Sequence, residues 1–312
     1  MNVSIVIPVY RASNVLQELT DRITTVIDNL NLSHEIILVD DSGQSESWEI
    51  VKQTVSRREG LLALRLTRNF GQHNAVLCGI RRSKGEFIIT MDDDLQHLPE
   101  ELPKIISELD KGYDVVYAPP TELKHSHARN LTSILAKSAI RRGENGNCSE
   151  VSSLRGIKGG VREFLHGFAS PNVSIDVLLD WTTSNMTTIR VRHSERLHGK
   201  SGYDPARLIR HSMNMMTGFS TTPLKIATTA GFISSGIALT VMIYMAAWRA
   251  INGSVIPGFA LIICSLAFFS GVQLVALGII GEYIGRMYNR VSRKPQYLIR
   301  EEFPGKSREQ EN

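Results

Sequence analysis

Two long stretches without charge constrain this chain more than any other feature. Between residues 226 and 281 the only charged side chain is Arg249. Ile226–Trp248 and Phe259–Gly281 each exceed the ~20 apolar residues that cross a bilayer as a helix. Uncharged runs of that length are rare in soluble folds, where a helix keeps a polar face. Two buried core helices are the competing reading. Asn252-Gly253 and Pro257-Gly258 between the runs are turn signals, so the pair predicts a two-helix transmembrane hairpin. Arg286, Arg290, Arg293 and Lys294 follow the second run, and such charge marks the cytoplasmic side. Two spans return a chain to its starting side. The expectation is a multi-pass protein of the inner (plasma) membrane, with residues 1–204 and the tail 282–312 in the cytoplasm.

A mean hydropathy of −0.07 hides this asymmetry, because residues 1–210 carry charge throughout. There, apolar runs alternate with helical spacing. Val3–Val9, Glu35–Val39, Leu61–Leu66, Glu86–Met91 and Tyr113–Tyr117 read as strands. Asn14–Leu30, Ser47–Ser56, Gly71–Arg82 and Pro99–Leu109 read as helices, and Ser13 or Asn14 suits the first N-cap. Strands alternating with helices predict an α/β fold with a mostly parallel, Rossmann-like sheet. Continuously apolar strands are those buried on both faces. A helix is expected around 128–142, a strand over Thr187–Val191, and an amphipathic helix within 205–225 ahead of the spans.

Other features narrow the class. The net charge is +4; it fits either an ordinary basic surface or attraction to anionic lipids and substrates. No basic stripe with interleaved aromatics points to nucleic acid. Cys78, Cys148 and Cys264 share no disulfide or metal spacing, which fits a reducing compartment. The N-terminus lacks a basic region before its apolar run and reads as a strand, not a signal peptide. His125, His127, His193 and His198 form no metal-spaced set and read as polar loop residues.

The acidic run Asp92-Asp93-Asp94-Leu95-Gln96 ends the fourth strand, at the edge where open α/β sheets bind ligands. Asp92 and Asp94 are i, i+2 neighbours and can face the same way. With Gln96 they offer the oxygen donors that Mg²⁺ or Mn²⁺ requires. A solvated acidic turn is the alternative.

Four segments occur in order: Ser4–Tyr10, Val39-Asp40-Asp41-Ser42, Arg68-Asn69-Phe70-Gly71 and Met91–Glu100. Glu195–Tyr203 and Gly281–Arg286 follow them. With these segments the chain resembles the family 2 (GT-A fold) glycosyltransferases over nearly its whole length. More narrowly it is similar to the branch of dolichyl-phosphate-mannose synthases and polyprenyl-phosphate glycosyltransferases.

The resemblance implies residue roles. Pro8 and Tyr10 would shape the nucleotide pocket, although Pro8 also suits a strand end. Asp40 would meet the base. Asp92 and Asp94 would hold Mg²⁺ or Mn²⁺ with the donor diphosphate, Gln96 would complete the metal shell, and Asp93 fills the variable slot beside the donor. Arg196, Lys200 and Ser201 would close over the phosphates, or the two cations are solvated loop charges. Arg68 and Asn69 would brace their loop.

The chain also departs from the pattern. Arg11-Ala12 stands where the family often has Asn-Glu, Pro119-Pro120 where an arginine is expected, and Ser152-Ser153-Leu154-Arg155 for a common Gly-Asp-Phe-Arg. The last two bear on the acceptor and sugar pockets. Arg129 remains as a candidate cation for an acceptor phosphate.

The resemblance thus implies an inverting transfer from a nucleotide-sugar to a polyprenyl (undecaprenyl or dolichyl) phosphate. A lipid phosphate is already ionised and needs no strong base. A sugar hydroxyl acceptor, as in polysaccharide synthesis, would need a carboxylate to take its proton; Asp176 is the candidate, with Asp180 weaker. Both also read as helix surface or cap. A processive synthase is disfavoured because Gln-x-x-Arg-Trp is absent. A non-catalytic membrane assembly subunit is the reading from another class. Gly231, Ser235, Gly271 and Gly278 would permit close helix packing, which suggests a homo-oligomer.

Overall fold

The computed structural model describes residues 2–13, 15–121, 150–168, 174–194, 222–252, 259–291 and 294–305. They form two compact units. The first is a sheet layered between helices. The second holds two long helices.

The sheet grows from β1 (Val3–Val9), whose seven residues are all buried. Side chains alternate across a strand. Val3, Ile5, Ile7 and Val9 therefore meet α1 (Val15–Asn29), α2 (Ser45–Val55) and α4 (Leu102–Asp110) on one face. Val6 meets α3 (Gln72–Arg82), α5 (Gly159–Gly167) and α6 (Ile175–Thr182) on the other. The remaining strands are β2 (His34–Asp40), β3 (Leu61–Leu66), β4 (Phe87–Thr90), β5 (Val115–Tyr117), β6 (Arg155–Lys158), β7 (Met186–Thr188) and β8 (Ile299–Pro304). Their spatial order is β7-β5-β6-β4-β1-β2-β3-β8.

Strand β1 lies between β2 and β4 and is parallel to both. The chain moves outward through β2 and β3. It then returns under the sheet through α3 and places β4 on the other side of β1. Neighbouring connections thus leave on opposite faces, and this reversal opens a crevice at the carboxyl ends of β1 and β4. Gly79 lets α3 lie close: a Cβ there would collide with Val6 Cγ1 and stand 3.2 Å from Val39 Cγ2.

The sheet is mixed, with parallel pairs in the majority as expected and antiparallel strands entering on both sides of them. β4–β6, β5–β6 and β3–β8 are antiparallel, while β2–β3 and β5–β7 are parallel. Antiparallel neighbours need no crossover helix, so β6 and β8 join without the alternating signature. β6, α5 and α6 were not expected, and the strand expected over Thr187–Val191 is the shorter β7. The tail supplies β8, which covers the open edge of β3. It is pinned by Trp48 Nε1 donating to Glu301 at 3.0 Å and Arg82 to Glu302 at 2.9 Å. Arg81 holds the approach, donating to Gln296 Oε1 at 2.7 Å and to the carbonyls of Leu165 and Phe168.

The second unit consists of α7 (Thr222–Asn252) and α8 (Phe259–Val291). They pack against each other and leave large apolar side chains open, with Phe232 76% and Leu274 69% exposed. Among the described residues one window, Phe268–Gly285 in α8, is long and apolar enough to cross a membrane; Ala227–Val241 in α7 is a shorter apolar stretch. Thr228, Thr229, Ser234 and Ser235 dilute the apolar character of α7. The helices expected over 128–142 and 205–225, the 253–258 connector, and Arg129, Arg196, Lys200 and Ser201 lie outside the described residues.

The close approach of α3 is testable. Gly79→Val is expected to destabilise the first unit by about 1–3 kcal/mol through overpacking. Gly160→Ala, where nothing stands within 4 Å of the new Cβ, serves as the neutral control. Thermal unfolding of the purified protein compares the two.

Candidate active site

The crevice collects the acidic run and its surroundings. Asp92 follows the end of β4, and both of its carboxylate oxygens are engaged. Oδ1 accepts from Gln72 Nε2 at 2.7 Å, and Oδ2 from Ser153 Oγ at 2.6 Å. Its backbone N–H points to His97 Nδ1 at 3.4 Å. Leu95 is buried with φ +57°, a left-handed conformation that a leucine adopts only under constraint. That kink turns the loop back, and Asp94 Oδ1 accepts from the Gln96 N–H at 3.2 Å. The Gln96 side chain lies 3.2 Å from His193 Nε2. His193, read from the sequence as a loop residue, instead pairs with buried His97 in a bridge, their rings edge-on at 5.0 Å. Burial holds both imidazoles below their usual range, against the pull of the nearby carboxylates.

Asp93 lies between Asp92 and Asp94 in the run and meets the Tyr10 backbone. Its carboxyl is pushed up to about 6 by burial and by the charges of Asp92 and Asp94, despite a hydrogen bond from the Tyr10 backbone. Negative charge is therefore crowded at this strand end. Two hard carboxylates in such a field suit a divalent cation. Among the described residues no group of three or more His, Cys, Asp and Glu could hold a metal ion. A cation here would take Asp92 and Asp94 and complete its shell with ligands from elsewhere.

The expected nucleotide side is partly in place. Tyr10 stands at the mouth of β1, 54% exposed, with the Arg11 guanidinium over its ring at 5.4 Å. Pro8 lines the crevice. Asp40 is fully buried; its Oδ1 accepts from the Ser42 N–H at 3.1 Å and Ser47 Oγ at 3.0 Å, holding the turn into α2. Its buried Oδ2 has no hydrogen-bond partner among the described residues. Asp41 anchors the next loop, accepting from the backbone N–H groups of Phe70 and Gly71 at 2.7 and 2.8 Å. Burial raises its carboxyl above the ordinary range even so. Asn69 accepts from the Gly71 N–H at 2.9 Å and Arg68 lies over the Phe70 ring, the bracing role expected of both.

Behind Asp92 the crevice deepens into a cavity of about 230 Å³ that includes Pro8, His73, Ser152, Arg155 and Asp176. Arg155 is buried and paired through Nη1 with Asp176 Oδ1, and the Tyr117 hydroxyl donates to the same oxygen at 3.2 Å. Asp176 was the sequence candidate for a general base. The structure brings it to the cavity but locks it into an ion pair with a residue 21 positions away, a partner no sequence spacing reveals. Asp180, the weaker candidate, does not line this cavity. Gln72, Ser153, His97 and Arg155 were not singled out; Ser153 and Arg155 were visible only within the departing segment 152–155.

The model of glycosyl transferase family 2 matches residues 4–147. Over 301 residues the chain is 33% identical to an undecaprenyl-phosphate 4-deoxy-4-formamido-L-arabinose transferase of Pseudomonas fluorescens, covering 95% of this chain and 89% of that protein. The enzyme of the same name from Pseudomonas aeruginosa is 34% identical over 308 residues, covering 95% and 89%. This chain belongs to glycosyl transferase family 2. It is a glycosyltransferase. Among solved structures, a glucosyl-3-phosphoglycerate synthase of Mycobacterium tuberculosis, crystallised with Mn²⁺, UDP and phosphoglyceric acid, matches with a TM-score of 0.51 at 16% identity. The match covers 69% of this chain and 76% of that one. This likeness carries the fold: the first unit of this glycosyltransferase is an α/β domain of the GT-A kind.

The ion pair in the cavity is testable apart from activity. Arg155→Met strands a partly buried carboxylate and is expected to cost about 3–5 kcal/mol, while adding Asp176→Leu should recover much of that loss. Thermal midpoints of the two variants beside the wild type decide it.

Proposed function

We propose that this family 2 glycosyltransferase moves a sugar from a nucleotide-sugar to a polyprenyl phosphate, with inversion, at the cytoplasmic face of a membrane. The observation that carries the reading is the state of the carboxylates at the cavity. Asp92 is held by Gln72 and Ser153, and Asp176 is paired with Arg155 and Tyr117. Neither is poised to take a proton from an incoming hydroxyl. An acceptor that arrives already ionised, a lipid phosphate, needs no such base. The relatives are named for undecaprenyl phosphate, which supports the same acceptor. Their named sugar, 4-deoxy-4-formamido-L-arabinose, is the first donor class to test.

An ionised phosphate oxygen of the acceptor forms a bond to the anomeric carbon as the bond to the donor diphosphate breaks on the opposite face. Pro8 and Tyr10 are assigned to the nucleotide pocket, and Asp40, which holds the turn into α2, to its base side. Asp92 and Asp94, with Gln96, would hold Mg²⁺ or Mn²⁺, which when bound neutralises the departing diphosphate. Arg196, Lys200 and Ser201 are assigned to the donor phosphates and Arg129 to the acceptor phosphate.

The exposed apolar faces of α7 and α8 support a membrane hairpin over 226–248 and 259–281, preceded by an amphipathic segment at head-group level. Open space beside Gly231, Gly271 and Gly278 fits close packing against further copies, in a homo-oligomer.

Asp94→Ala is expected to lower transfer at least about a hundredfold, as removal of an electrostatic stabiliser does. Membranes carrying either form are incubated with Mg²⁺, undecaprenyl phosphate and labelled nucleotide-sugars. Label entering the lipid fraction with the wild type alone supports the reading. Label in a hydroxyl-linked product would refute the acceptor.

A further inference from the structure

We propose that Gln72 and Ser153 are positioning residues that clamp Asp92 from opposite sides and set its carboxylate for a divalent cation. This rests on the assignment of Asp92 above. Asp92 shares its turn with two other carboxylates, and repulsion favours its swinging out to water. Two donors prevent that, one on each oxygen: Gln72 Nε2 at 2.7 Å and Ser153 Oγ at 2.6 Å. Together they fix the plane of the group. A carboxylate carries about four lone-pair directions, so each oxygen keeps one for a metal.

Both arms of the clamp are themselves held. Gln72 is the first residue of α3 and follows Gly71, whose φ of +92° makes the sharp entry. Asp41 grips that entry through the Phe70 and Gly71 N–H groups. Ser153 is tied through its carbonyl, which accepts from Thr90 Oγ1 at 2.8 Å. His97 Nε2 stands 3.5 Å behind its hydroxyl. The clamp therefore joins β4, the start of α3 and the segment entering β6 at one carboxylate. A hydroxyl suits position 153, because a carboxylate there would add a like charge at contact distance from Asp92.

Partners that orient metal-binding groups typically contribute ten- to one-hundredfold in metal affinity. The test titrates Mn²⁺ alone into the purified full-length protein and follows the free Mn²⁺ signal by electron paramagnetic resonance. Gln72→Ala and Ser153→Ala are expected to weaken Mn²⁺ binding by about ten- to one-hundredfold each, while Ser153→Thr, which keeps the hydroxyl, stays near wild type. Circular dichroism confirms that each variant is folded. The proposal is overturned if both alanine variants bind Mn²⁺ as the wild type does, if Ser153→Thr falls with Ser153→Ala, or if the wild type binds none. Weakened binding in the variants, from a wild type that moves no sugar to polyprenyl phosphate, would support the clamp while removing the acceptor reading.

Discussion

Burial of β1 on both faces governs the rest of the molecule. A strand with helices above and below can gain neighbours only at its two edges, and this chain uses both in turn. It adds β2 and β3 on one side through α1 and α2. It then passes beneath through α3 to add β4 on the other. The passage depends on Gly79, which lets α3 press against Val6 and Val39. The two directions part at the carboxyl ends of β1 and β4. Pro8, Tyr10 and Asp92 all emerge at that gap.

The gap alone would be a shallow acidic mouth. Chemistry requires that its carboxylates be held apart in role, and the structure does this by distributing donors unequally. Asp41 takes two backbone N–H groups and fixes the start of α3. Asp92 takes two side-chain donors, one on each oxygen. Asp93 takes the Tyr10 backbone and bears the cost of its neighbours as a raised proton affinity. Asp176 is neutralised by Arg155. The same residue type thus anchors a loop, ties three segments together at the crevice, and lines a cavity. With Asp92 and Asp176 both held by donors, the cavity suits an acceptor that brings its own negative charge.

Much of the first half was legible from residue pattern, because β1 to β4 are continuously apolar and their helices show regular spacing. The acidic run at a strand end was legible for the same reason. In the second half the two long helices were legible as uncharged runs, whereas most of its sheet was not. β6 is Arg-Gly-Ile-Lys, too short and polar to show a period, and β7 keeps only the start of the strand expected over Thr187–Val191. β8 contains Arg300, Glu301 and Glu302 and reads as a solvated tail; Trp48 and Arg82 give the two carboxylates partners, and the edge of β3 takes the strand. The partners of Asp92 and Asp176 come from 20 to 61 residues away. Their meeting is a property of strand order, which the antiparallel entries of β6 and β8 concealed.

The most direct test of the account is a crystal or cryo-electron microscopy structure of the full chain with Mn²⁺ and a nucleotide-sugar, with the metal located by its anomalous signal or density. The account predicts Mn²⁺ within coordination distance of Asp92 and Asp94, bridging to the donor diphosphate at the carboxyl ends of β1 and β4. A donor bound elsewhere, or a metal held without either carboxylate, would contradict it.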